Sequence, residues 1–114
     1  MNINDYLNKL KTTPESITFE DTMSTIDDNY DFTPGAFTNG GTKNNANENN
    51  GSCKIFFFAR QQQLPEELTL HCFGDYYRKD VLQNPDADDH QNIRNFMTTG
   101  WSAVSFESIA LKAR

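Results

Sequence analysis

The sequence predicts a mainly helical α+β domain with one small antiparallel β element, and three observations carry that prediction. Apolar residues recur at helical spacing in five separate stretches. Strands are assigned to two segments, near residues 30–38 and 101–107. The chain has 114 residues, 36% of them hydrophobic, which suits one hydrophobic core and therefore a single domain over residues 1–114.

Ile3, Tyr6, Leu7 and Leu10 stand three and four apart, so residues 4–12 read as a short amphipathic helix, capped by Asn2 or Asn4 and ended by Pro14. Thr18 followed by Asp21 has the pattern of a capping box, and Phe19, Met23, Ile26 and Tyr30 place a second helix at 19–29. Pro34 and Gly35 then exclude a regular helix, leaving Tyr30 to Phe37 as an irregular edge strand. Thr38 to Ser52 holds one apolar side chain, Ala46, and six of the thirteen asparagines, which predicts a mobile surface loop.

Ile55-Phe56-Phe57-Phe58-Ala59 fits a buried strand as well as a helix; Ser52 as a cap and the continuation from Arg60 to Leu64 favour the helix. Pro65, Glu66 and Glu67 make a good first helical turn, after which Leu68, Cys72 and Tyr76 share a face. Gly74 bends or divides this helix, and Asn84-Pro85-Asp86 closes it. Asp88 or Asp89 starts a further helix that points Ile93, Phe96 and Met97 inward until Gly100 stops it. Beyond it, Ser102, Val104 and Phe106 alternate with Ala103, Ser105 and Glu107, the period of a strand that pairs with the Tyr30 to Phe37 segment.

Sixteen acids against ten Lys and Arg give a net charge of −6. No basic run appears, so nucleic acid and anionic lipid are disfavoured as partners. The longest apolar stretch, Ile55 to Ala59, is far below the ~20 residues that cross a bilayer. The start of the chain lacks the basic and apolar regions of a secretory signal. A protein made in the cytoplasm is expected, with any export by a route that cleaves no hydrophobic signal.

Cys53 and Cys72 each lie in an apolar segment and read as reduced, buried thiols. His71 and Cys72 cannot act as a dyad on a helix, because adjacent side chains diverge by roughly 100°. Spaced from Glu67, Asp75 and Arg78 as neighbours on one face, His71 reads as a solvated residue. Cys53 with His90 is the dyad the sequence still allows, against the alternative of a histidine bonded at the margin of the core. No C-x-x-C or H-x-x-x-H pair, EF-hand, phosphate loop or nucleophile elbow is present, so no metal and no cofactor are implied. The polar residues set among aromatics are Asn29, Asp31, Cys53, Lys54, Tyr76, Arg78, Asp80, His90, Arg94 and Asn95. They form an internal hydrogen-bonded network or line a small pocket.

Those segments resemble the HopJ family of type III effector proteins. The resemblance rests on I-D-x-N-Y-x-F-T-P from Ile26 to Pro34, G-S-C-K-I-F from Gly51 to Phe56, and C-F-G-x-Y-Y-R-x-D-V-L from Cys72 to Leu82. It continues in N-P-D at Asn84, D-H-x-N-I-R-N-F-M ending at Met97, and Gly100-Trp101 before Phe106. The resemblance implies a bacterial protein exported by a type III system and brings no agreed enzymatic role. Two functions follow as expectations: docking on a protein partner through an exposed apolar or acidic patch, or binding or converting a small molecule in a pocket near Cys53 and His90.

Overall fold

Five α-helices, a π-helical segment, two short 3₁₀ turns and five three-residue strands follow one another along residues 1–114, all of which the computed structural model describes. Helix α1 (Ile3–Thr12) starts where Asn2 Oδ1 accepts the Asp5 amide at 2.8 Å, and it buries Tyr6 and Leu10. Helix α2 (Phe19–Asn29) has the predicted capping box: the Asp21 amide donates to Thr18 Oγ1 at 3.0 Å, and the Thr18 amide to Asp21 Oδ2 at 3.1 Å.

The strands form two small antiparallel sheets. β1 (Tyr30–Phe32) pairs with β5 (Leu111–Ala113), while β2 (Phe37–Asn39) lies between β3 (Thr42–Asn44) and β4 (Val104–Phe106). The predicted contact between the two strand-like segments is made at Phe37, which stands opposite Phe106. Pro34 and Gly35 split the first segment, so its Tyr30 half takes another partner, a terminal strand too short to show alternation. The second segment begins as a 3₁₀ turn, Trp101–Ala103.

The asparagine-rich stretch differs most from expectation. Thr38 to Asn44 forms a hairpin around Gly40 and Gly41, whose φ of +58° and +88° are what a tight two-residue turn requires. Asn39 and Asn44 are 0% and 2% exposed. Their burial is tolerated because both side-chain amides bond Asn92, an option that hydropathy does not register.

Helix α3 (Asn50–Gln61) resolves the strand-or-helix ambiguity in favour of the helix and crosses the core. Its apolar run is continuous because it is covered on several sides. Phe56 meets Phe96 at 4.9 Å, Phe73 at 5.4 Å, Trp101 at 6.2 Å and Phe37 at 6.3 Å between ring centroids. Its entry is through Asn49 in the left-handed region, without a side-chain cap, and not through Ser52.

Gly74 does divide the next helix. Helix α4 (Glu66–His71) stops short of it, φ is +62°, and a Cβ there would lie 2.6 Å from the Phe19 amide nitrogen. The π-helical segment Tyr76–Val81 follows. Helix α5 (Gln91–Thr99) starts after His90, at φ +51°, later than Asp88 or Asp89. It buries Ile93 and Phe96, whereas Met97, one residue further around the helix, is 44% exposed rather than inward.

Candidate functional site

The first turns of α3 and α5 meet at a surface cleft of about 350 Å³. Gly51 and Ser52 come from α3, Gln91, Asn92 and Ile93 from α5, Thr42 and Asn44 from the hairpin, and Phe19, Phe73 and Tyr76 supply aromatic walls. Each helix begins at a residue in the left-handed conformation, Asn49 and His90, and neither has a side-chain cap. The amides of Gly51, Ser52, Gln91 and Asn92 accordingly donate to no protein acceptor. The positive ends of two helix dipoles face the same space.

A buried amide network holds the two turns in register. Asn92 Oδ1 accepts from Asn39 Nδ2 and Asn44 Nδ2, both at 3.2 Å, and Asn92 Nδ2 donates to Asn44 Oδ1 at 3.0 Å. Asn49 Nδ2 donates to the same Asn44 oxygen at 2.7 Å, which fixes the residue leading into α3. Asn39 Nδ2 also bonds the Asn92 carbonyl at 2.8 Å, while Asn39 Oδ1 is buried with no partner. Asn95 ties the hairpin to α5 from outside, donating to Asn39 O at 3.1 Å and to Thr42 Oγ1 at 2.9 Å.

His90 closes one side of the cleft. Its Nε2 lies 3.1 Å from Asp80 Oδ2 and 3.8 Å from Asp89 Oδ2, and its ring sits 5.2 Å from Tyr76. The π-helical segment places both Tyr76 and Asp80, four residues apart, toward this wall. Tyr76 meets Phe19 edge-on at 5.0 Å, and behind that pair lies a second hollow of about 300 Å³ lined also by Thr18, Glu20, Asp75 and Asp80.

Of the residues selected from sequence, Tyr76 and His90 line the cleft and Asp80 supports His90. The others go elsewhere. Cys53 is buried with its thiol toward the Gly35 carbonyl at 3.9 Å; burial pushes the thiol up, and it lies outside the cleft lining, so the Cys53 and His90 pairing does not share this cleft. Lys54 binds Asp27 at 2.9 Å and covers the Phe32 ring, Asn29 bonds the Thr25 carbonyl, and Asp31 pairs with Arg114 on the surface. Arg94 pairs with Asp89 at 2.7 Å and reaches the Asn84 carbonyl.

Arg78 turns inward and corrects the reading of His71. Its guanidinium bonds the carbonyls of Pro14 and Ile17 and lies 3.1 Å from His71 Nδ1. His71 is therefore buried, not a solvated face residue. Burial, then the neighbouring Arg78 charge, hold its pKa below the ordinary imidazole value against the pull of Glu15 and Glu67. Cys72 is sealed in the core, its thiol pushed up to about 12 by burial.

The residues missed from sequence are Thr42, Asn44, Asn49 and Asn92, together with the amides of Gly51 and Ser52. The Asn39-Gly40 pair was the available signal, since Asn-Gly followed by a short polar strand marks a hairpin.

Fold and site together define a single α+β domain with an amide-lined cleft at two uncapped helix starts. The chain belongs to the HopJ type III effector protein family, whose sequence profile matches residues 3–111. It is similar throughout to a crystal structure described as that of the unknown-function protein VPA0580, with 59% identity and a TM-score of 0.98, over 100% of this chain and 95% of that one. No curated protein matches the chain significantly. No helix is long and apolar enough to cross a membrane.

Proposed function

We propose that the chain is a type III effector that works by holding a small ligand in the cleft. The ligand carries an oxygen acceptor, such as a carboxylate or phosphate, and an apolar or flat body. The observation that supports this is the convergence of unbonded main-chain donors from α3 and α5 on one cavity beside His90 and an aromatic wall. A charged acceptor gains about 1.5–3 kcal/mol from a hydrogen bond of this kind, more than water returns to the free amide. Binding of this sort needs no nucleophile, so the buried Cys53 is not required for it.

Saturation-transfer NMR with phenyl phosphate and benzoate tests the reading. The ring protons should receive magnetisation from the native chain and lose it in Ser52→Trp, which fills the cleft. Circular dichroism on the variant separates a blocked cleft from an unfolded chain. Undiminished transfer in a folded Ser52→Trp chain would place the contact outside the cleft.

Docking on a host protein is the second reading. Family membership favours it, as do Leu82 and Met97, which are 47% and 44% exposed around one shallow groove with Val81 and Pro85. Ser52→Trp should leave that activity intact, whereas Leu82→Asp with Met97→Asp should remove it.

A further inference from the structure

The chain contains two Asn-Gly pairs, Asn39-Gly40 and Asn50-Gly51, and the fold treats them in opposite ways. We propose that Asn50 is a site of spontaneous deamidation, while Asn39 is protected from it.

The reaction needs a main-chain nitrogen free to attack the side-chain carbonyl of the preceding asparagine. The Gly51 amide loses its proton to solvent base and its nitrogen bonds Asn50 Cγ. The Cγ–Nδ2 bond breaks, ammonia leaves, and a five-membered succinimide remains. Water then opens the ring at either carbonyl, giving aspartate or isoaspartate at position 50. No oxidant or reductant is involved, and water is the sole co-reactant.

At Asn50 each requirement is met. The Gly51 amide donates no hydrogen bond, Gly51 has no side chain to hinder ring closure, and the half-buried Asn50 side chain makes no hydrogen bond that would hold it away. Asn50 is the first residue of α3, where no preceding turn locks the main chain. At Asn39 each requirement fails. The Gly40 amide is bonded to the Ala103 carbonyl at 3.1 Å, and Asn39 Nδ2 is held by two Asn92 oxygens in the buried network. The leaving group and the nucleophile are both occupied.

The product bears on the cleft. Isoaspartate routes the main chain through the former Cβ, lengthening it by one methylene immediately before Gly51 and Ser52. That displaces the amides facing the cavity and adds a negative charge at its edge.

Incubation of the full chain in warm, mildly alkaline buffer, followed by peptide mapping, tests the assignment. A mass gain of one dalton should build up at position 50 many-fold faster than at position 39, with isoaspartate as the larger product. In denaturant the two positions should convert at similar rates, because the protection of Asn39 belongs to the fold. Gly51→Ala should slow position 50 severely; its added Cβ would meet the Phe19 ring tip at 3.1 Å, which the ring can relieve. Equal rates at the two positions in the folded chain, or faster conversion at position 39, would overturn the proposal.

Discussion

The N-terminus of α2 and those of α3 and α5 treat the same unsatisfied amides in opposite ways. At α2 the chain closes on itself: Thr18 and Asp21 take each other's amides, and Lys9 reaches the same carboxylate at 3.3 Å. At α3 and α5 the leading residue is left-handed, no side chain caps the turn, and the amides of four residues lining one cavity are left without an acceptor in the chain. The difference is not a lack of polar residues, since asparagines surround both turns. They are spent on fixing the two turns relative to each other, and the donors are left for something else.

The largest expected effect comes from breaking the network that holds the open turns. Asn92→Ala removes the shared partner of Asn39 and Asn44 and should cost about 3 kcal/mol in urea unfolding, because buried amides lose their partners. It should also abolish ligand contact at the cleft. At the closed end, Thr18→Ala should cost about 1 kcal/mol and leave the cleft unaffected.

A pH titration sharpens the contrast between stabilising contacts. His71 is disfavoured as a cation when folded, so its contribution is fully present above the ordinary value of 6.5. It declines as pH falls from there and levels off below the depressed folded value, where the native state also binds the proton. His71→Gln should flatten this part of the stability profile. Asp21 has the usual carboxylate sign. Burial would raise it, but the Thr18 amide and Lys9 hold it below 3.8, so the cap is lost only as pH falls through that lowered value.

The smallest effect is a gain. Asn50→Asp puts a carboxylate at the first position of an uncapped helix and should stabilise the chain by about 0.5 kcal/mol in the same unfolding measurement.

Legibility from sequence follows the same division. The caps of α1 and α2 were readable because Asn2, Thr18 and Asp21 act on amides a few residues away. Helix α3 was readable from its Arg60 to Leu64 continuation despite the strand-like Ile55 to Ala59 run, although the cap expected at Ser52 is absent. The cleft was not readable, because Asn39, Asn44 and Asn92 are buried only through contacts about fifty residues apart, and polar composition alone points to solvent. His71 failed for the same reason: helical spacing placed it among charged neighbours, but Gly74 breaks that helix and lets Arg78 fold back over it. Of the residues selected from sequence, Tyr76 and His90 lie in the cleft lining, whereas Cys53 lies in the core.

The most direct test follows backbone amide resonances while phenyl phosphate is added to the native chain. Saturable shifts at Gly51, Ser52, Gln91 and Asn92, with Glu20 and Asp21 unmoved, are what the open and closed helix starts predict. Shifts as large at Glu20 and Asp21, or none at the cleft amides, would contradict the assignment of the cleft as the working site.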